Sequence, residues 1–171
     1  MNEIPQPVAI VDLVEAAIRH PWTKNQSEND ALFKRLGWGH GKKSPANTND
    51  VRDIADHFHL ETGDEGPPIF ATSRELGGLI ESIHLKLRLD SAPPNPDATR
   101  CFDAILSQLI DLHGEPTIPW HGQRGLRTMW NVNGIDIDVT YNDSRSSLTI
   151  GIQDEPFFAE VEAYARANNV E

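Results

Sequence analysis

Residues Leu126 to Glu155 read LRTMWNVNGIDIDVTYNDSRSSLTIGIQDE, and this stretch decides the class of fold. Ile135, Ile137, Val139 and Tyr141 alternate with Asp136, Asp138 and Thr140. That two-residue period belongs to a strand with one face in a core and the other in water. Asn133-Gly134 is the strongest short hairpin signal a sequence offers, because a tight type I′ turn needs positive φ at both central residues. LRTMWNV is therefore expected to pair with IDIDVTY, and SSLTIGI to return after the turn NDSRS.

Outward from this meander the periods change. PDATRCFDAILSQLIDLHGEP predicts a helix with Phe102, Ile105, Leu106, Leu109 and Leu112 as its buried stripe. Gly114 suits its C-terminal stop and Pro116 blocks continuation. SAPPNP before it is a rigid connector. GGLIESIHLKLRLD reads as a long strand, with Leu79, Ile83, Leu85, Leu87 and Leu89 on one face and Ser82, His84, Lys86, Arg88 and Asp90 on the other. EPFFAEVEAYARANN predicts a last helix that starts at Pro156 and shows Phe157, Val161 and Tyr164 as its apolar face. Near the N-terminus, PVAIVDLVEAAIRH and SENDALFKRLGWG have helical spacing. GHGKKSPANTND is loop-like, and VRDIADHFHLETGDEGPP is ambiguous between a short strand and a loop.

The expectation is one α+β domain over residues 1–171. It has a helical part at 1–38, an irregular acidic segment at 39–75 and a β-α-β-β-β-α part at 76–171. Its antiparallel sheet would have about four strands, the long strand plus the three-stranded C-terminal meander, with helices packed on one face.

Charge narrows the partners. The net charge is −11, and all of the excess lies in two segments. From Asn131 to Glu171 eight acids face two arginines, and from Asp50 to Gly66 six acids face Arg52 alone. Nucleic acid and anionic membranes need basic surface, so this balance argues against both and favours a cationic partner or plain solubility. Cys101 is the single cysteine, which excludes an intrachain disulfide and leads to the expectation of a reducing, cytoplasmic setting. The opening residues have no basic n-region and no long apolar run, so neither a signal peptide nor a membrane anchor is expected.

Several residues could carry chemistry. Asp136 and Asp138 lie on one side of a strand roughly 6–7 Å apart. Such a pair could ligate a metal, act as general acid and base, or form an acidic docking wall. His57 and His59 share one strand face in the His-x-His spacing of some zinc sites, with Asp53, Asp56, His84, His113 or His121 as further donors. No HExxH, CxxC pair, Walker loop, G-x-S-x-G or G-x-G-x-x-G occurs. Trp120, in the loop TIPWHGQRG, and Trp38 are candidate interface anchors.

PWTKNQSENDALFKRLGWG, the long strand before the Cys101 helix, HGEP closing that helix and the Trp130 meander carry a family resemblance. Together they resemble small actinobacterial proteins encoded beside secreted polymorphic toxins as their immunity partners. The immunity factor of the mycobacterial NAD-hydrolysing necrotizing toxin is similar in layout. The chain departs from this pattern at His113, where an apolar residue is expected, and at residues 39–68, which have no counterpart. The resemblance implies no catalysis, no cofactor and a cognate toxin domain as partner, bound so that its active site is blocked. In that reading Asp136, Asp138, Asp143 and Asp154 supply electrostatic contact and Trp120 or Trp38 the anchor. The competing readings are a small metal-dependent hydrolase built on His57, His59 and nearby carboxylates, and a non-catalytic adaptor. An exposed edge strand would also permit a homodimer.

Overall fold

Strands β6 (Leu126–Val132) and β7 (Ile135–Asn142) pair antiparallel across Asn133 and Gly134, whose φ angles are 54° and 85°. Both central residues are thus in the left-handed region that the type I′ turn requires. Strand β8 (Ser147–Asp154) pairs with β7 on its other side, with Ile137 opposite Ile152 and Val139 opposite Ile150. The computed structural model describes residues 4–19, 22, 25–44, 55–62, 69–87, 95–119, 126–142, 145 and 147–168.

The sheet is twice the expected size. Its order is β1-β2-β3-β4-β8-β7-β6-β5, antiparallel throughout, so two four-stranded meanders meet where β4 pairs with β8. Seven strands have five residues or more, and β5 (Ile118–Pro119) is a two-residue edge piece. The segment expected to be irregular, 39–75, holds three strands: β1 (Gly39–Lys43), β2 (Asp56–Glu61) and β3 (Ile69–Leu76). Alternation in β3 is clear, with Ile69, Ala71, Ser73 and Glu75 buried. Gly77 and Gly78, at φ 58° and 81°, turn it tightly into β4 (Leu79–Leu87).

β1 is polar and reads as a loop because an edge strand has a neighbour on one side only and little apolar burial to advertise. It closes against β2 through a local irregularity at Gly41, where any side chain would run into the carbonyl oxygen of His59. A second irregularity falls in the β3–β4 pair, where Arg74 faces Ser82 but Glu75 faces Ile80. Glu81 is the extra residue, and the alternation slips there, so that Ile80, Glu81, Ser82 and Ile83 are all buried.

Helices α1 (Pro7–Ile18), α2 (Gln26–Leu36) and α3 (Pro96–His113) bury the apolar sheet face, and their inward residues form one cluster with Ile83, Leu85, Ile137 and Ile150. Phe102 of α3 stacks on Tyr141 of β7 with ring centroids 5.1 Å apart. Asn95 caps α3, its Oδ1 accepting from the amides of Asp97 and Ala98, and Gly114 at φ 79° ends it. His113, out of place in an apolar pattern, stands 2.6 Å from Glu15 and ties the end of α3 to α1. Leu112, expected in the buried stripe, is 55% exposed.

The helices do not all share one face. Helix α4 (Glu155–Asn168) puts Phe158 5.9 Å from the guanidinium carbon of Arg74, which points the same way as Ser82 and His84. It therefore covers one end of the opposite face. Its contact stripe is Val161 and Ala165, one helical turn apart, and Tyr164 is 60% exposed. The sheet was too small in expectation, and so was the set of faces it had to cover.

Candidate functional site

The register of the central strands builds a polar surface between α4 and the far sheet edge. Lys86, Thr149, Thr140 and Arg127 form one row across β4, β8, β7 and β6, and His84, Gly151, Asp138 and Met129 form the next. Ser82, Gln153, Asp136 and Asn131 make the third. Directly opposite residues share a face, so all of these side chains point away from the core.

Gly151 makes the surface concave. Between His84 and Asp138 it contributes no side chain, and the imidazole closes over it: a Cβ there would lie 3.5 Å from His84 Nδ1 and 3.7 Å from Asp138 Cβ. The resulting cavity of about 150 Å³ is lined by His84, Arg127, Met129, Asp136, Asp138, Thr140, Thr149, Gly151 and Gln153.

Both aspartates of the opening stretch thus come together, but in different states. Asp138 Oδ2 accepts from Arg127 Nε at 2.6 Å and pairs with its Nη2, while Oδ1 accepts from Thr140 Oγ1 at 2.8 Å. Its charge is neutralised where it stands. Asp136 Oδ1 accepts from Asn131 Nδ2 at 2.7 Å, and no cation pairs with Asp136 among the described residues.

His84 Nε2 lies 3.1 Å from Ser82 Oγ. Burial of the ring lowers its pKa from the ordinary 6.5; Asp138 opposes that shift, and His57 and Arg74 add to it. In the folded protein the imidazolium is disfavoured, so below about pH 6.5 the unfolded chain takes up a proton that the native site resists. The stability contribution is full above about 6.5 and falls as pH drops from there through the native value. Urea unfolding at pH 7.5 and pH 5 should therefore show a smaller acid loss for His84→Gln than for the wild type. Equal losses would remove His84 as a source of acid sensitivity.

The remaining candidates scatter. Asp154 caps α4, its Oδ1 accepting from the Phe157 amide at 3.0 Å, and lies outside the pocket. Trp38 is 8% exposed and belongs to the core, so it offers no surface anchor. Asp143 and Trp120 lie outside the described residues. His57 and His59 do share a strand face on β2, opposite Arg74 and Thr72, but His59 bonds Ser44 at 3.0 Å and packs edge-on against Phe70. Among the described residues no group of three or more His, Cys, Asp or Glu side chains is placed to hold a metal ion. Cys101 is buried, with its thiol pKa pushed up by that burial.

Seven of the nine pocket residues, Arg127, His84 and Gly151 among them, were not among the predicted docking residues. Arg127 was within reach of the sequence, since the Asn133-Gly134 register puts it opposite Thr140 and diagonal to Asp138. The meeting of His84 with Gly151 was not, because it follows from the β4–β8 pairing of residues 67 apart.

Comparison with protein families, with curated proteins and with solved structures finds no match to this chain. No described helix is long and apolar enough to cross a membrane.

Proposed function

We propose that the protein is a non-catalytic binding protein of the immunity type, which works in the cytoplasm and silences a secreted toxin domain by covering its active site. Its docking surface is the polar face of β4, β8, β7 and β6. The observation that carries this reading is the concave, charge-lined patch on that face, where α1, α2 and α3 are absent because they pack on the other side.

The chain's net charge of −11 supports the same reading. A toxin acting on an anionic substrate such as a dinucleotide or a nucleic acid has an electropositive site, and opposite charge accelerates encounter. Within the patch the uncompensated charge is that of Asp136, because Asp138 is already held by Arg127. Electrostatic docking at this face therefore turns on Asp136 more than on the pair.

The test is co-expression with the toxin domain encoded beside the gene, followed by binding kinetics with a catalytically dead toxin. The wild type should restore growth. Asp136→Lys should slow association about tenfold at low salt and flatten its salt dependence. Growth rescue with unchanged kinetics would move the docking surface elsewhere. Failure to rescue, with a different stoichiometric protein captured, would establish an adaptor instead.

A further inference from the structure

We infer that the pocket beside Asp136 receives a single cationic side chain, an ammonium or a guanidinium, projected by the bound partner. The inference rests on the reading of this face as a docking surface and states what that surface recognises.

Three features fix the ligand's chemistry. The cavity, at about 150 Å³, is smaller than the roughly 300–1,000 Å³ of small-molecule sites and suits one amino-acid side chain. Its cation is committed: Arg127 turns Nε and Nη2 onto Asp138, so an incoming anion would have to displace that carboxylate or lie against two of them. Its one uncompensated charge is negative, on Asp136, whose Oδ1 is bonded by Asn131 and whose Oδ2 carries no hydrogen bond among the described residues.

The neutral lining suits the stem of such a side chain. Met129 offers a pliable apolar wall for methylenes, and the Gln153 carbonyl with the Thr149 hydroxyl supplies further acceptors for N–H donors. His84 is held toward its neutral form by burial, so it adds no competing positive charge at neutral pH. Lys86 and Arg74 also face this side. Lys86 lies in the Thr149 row, two rows from Asp136, and Arg74 is paired with Glu81. Neither neutralises Asp136.

The experiment is an NMR titration of the full chain with N-acetyl-lysine methylamide, N-acetyl-arginine methylamide and N-acetyl-glutamate methylamide. The readouts are the Gly151 amide and the His84 imidazole resonances. The two cationic probes should saturate with dissociation constants on the order of 1–10 mM, as expected for small ligands in an open pocket. The glutamate probe should leave both resonances in place. Asp136→Asn should weaken the cationic probes about tenfold, and Gly151→Val, which fills the pocket from its floor, should abolish their effect. Saturable binding of the glutamate probe overturns the inference. So does cationic binding indifferent to Asp136→Asn, or no shift with any probe up to about 100 mM.

The two readings fail separately. Toxin kinetics sensitive to Asp136→Lys with silent probes would keep the docking face and discard the side-chain pocket. Saturable cationic probes with toxin kinetics blind to Asp136 would do the reverse.

Discussion

Truncating Ile150 to alanine is expected to lower the unfolding free energy by about 3–4 kcal/mol, the middle of the range for buried aliphatic truncations. Ile150 is completely buried and stands in register with Leu85 on one side and Val139 on the other. It is therefore at the seam where the two meanders join. Both neighbouring strands are held by ladder hydrogen bonds, so the walls of the new cavity have little freedom to collapse, and that resistance sets the cost. A domain of this size has about 5–15 kcal/mol in all, so the loss is a large fraction of the total. Urea denaturation followed by far-UV circular dichroism measures it directly. A loss below about 1 kcal/mol would mean that the seam is loosely packed.

The second large effect is at the β3–β4 irregularity. Arg74→Ala should cost about 3 kcal/mol, because it strips the cation from a carboxylate that cannot reach water. Glu81 is completely buried and pairs with Arg74, whose guanidinium carbon also lies 5.9 Å from the Phe158 ring centroid of α4. Both residues make further contacts, which holds the expected loss at the lower end of the usual range. Arg74→Ala/Glu81→Gln should recover at least half of it, since a neutral amide needs no counter-charge. Arg74→Lys should recover the charge but not the guanidinium's contact with the ring. A double-mutant cycle in urea gives the coupling. Additive losses would show that Arg74 and Glu81 are not energetically coupled.

The candidate site was half legible. The alternation in IDIDVTY put Asp136 and Asp138 on one face, and the Asn133-Gly134 turn fixed their partners on β6. What the alternation could not reveal was that Arg127 had already neutralised Asp138 and left Asp136 as the open charge. Nor could the acidic run distinguish a docking carboxylate from a helix cap: Asp154 belongs to the backbone of α4. Trp38, read as an anchor, follows the turn at Gly37 that folds the chain back onto α2, and its ring is drawn into the core.

The same boundary runs through the fold. Local pattern was enough for α1, α2, α3, α4, β4 and the three-stranded meander, because each buries a face whose period is written in consecutive residues. The Gly77-Gly78 turn beside Ile69–Leu76 was a further hairpin signal of the same local kind. β1 and β2 are another matter. β2 becomes a strand only when β3 is present to bond it, and the edge strand β1 only when β2 is, since their ladders are supplied by neighbours and little of their stability by burial. By itself the sequence determined an antiparallel α+β chain with two aspartates on a wet strand face. The tertiary structure decided that β4 and β8 would meet, and with them His84 and Gly151. That pairing doubled the sheet, slid α4 onto its second face and hollowed the pocket, because contact between residues 67 apart is decided by the packing of whole elements and not by any period along the chain.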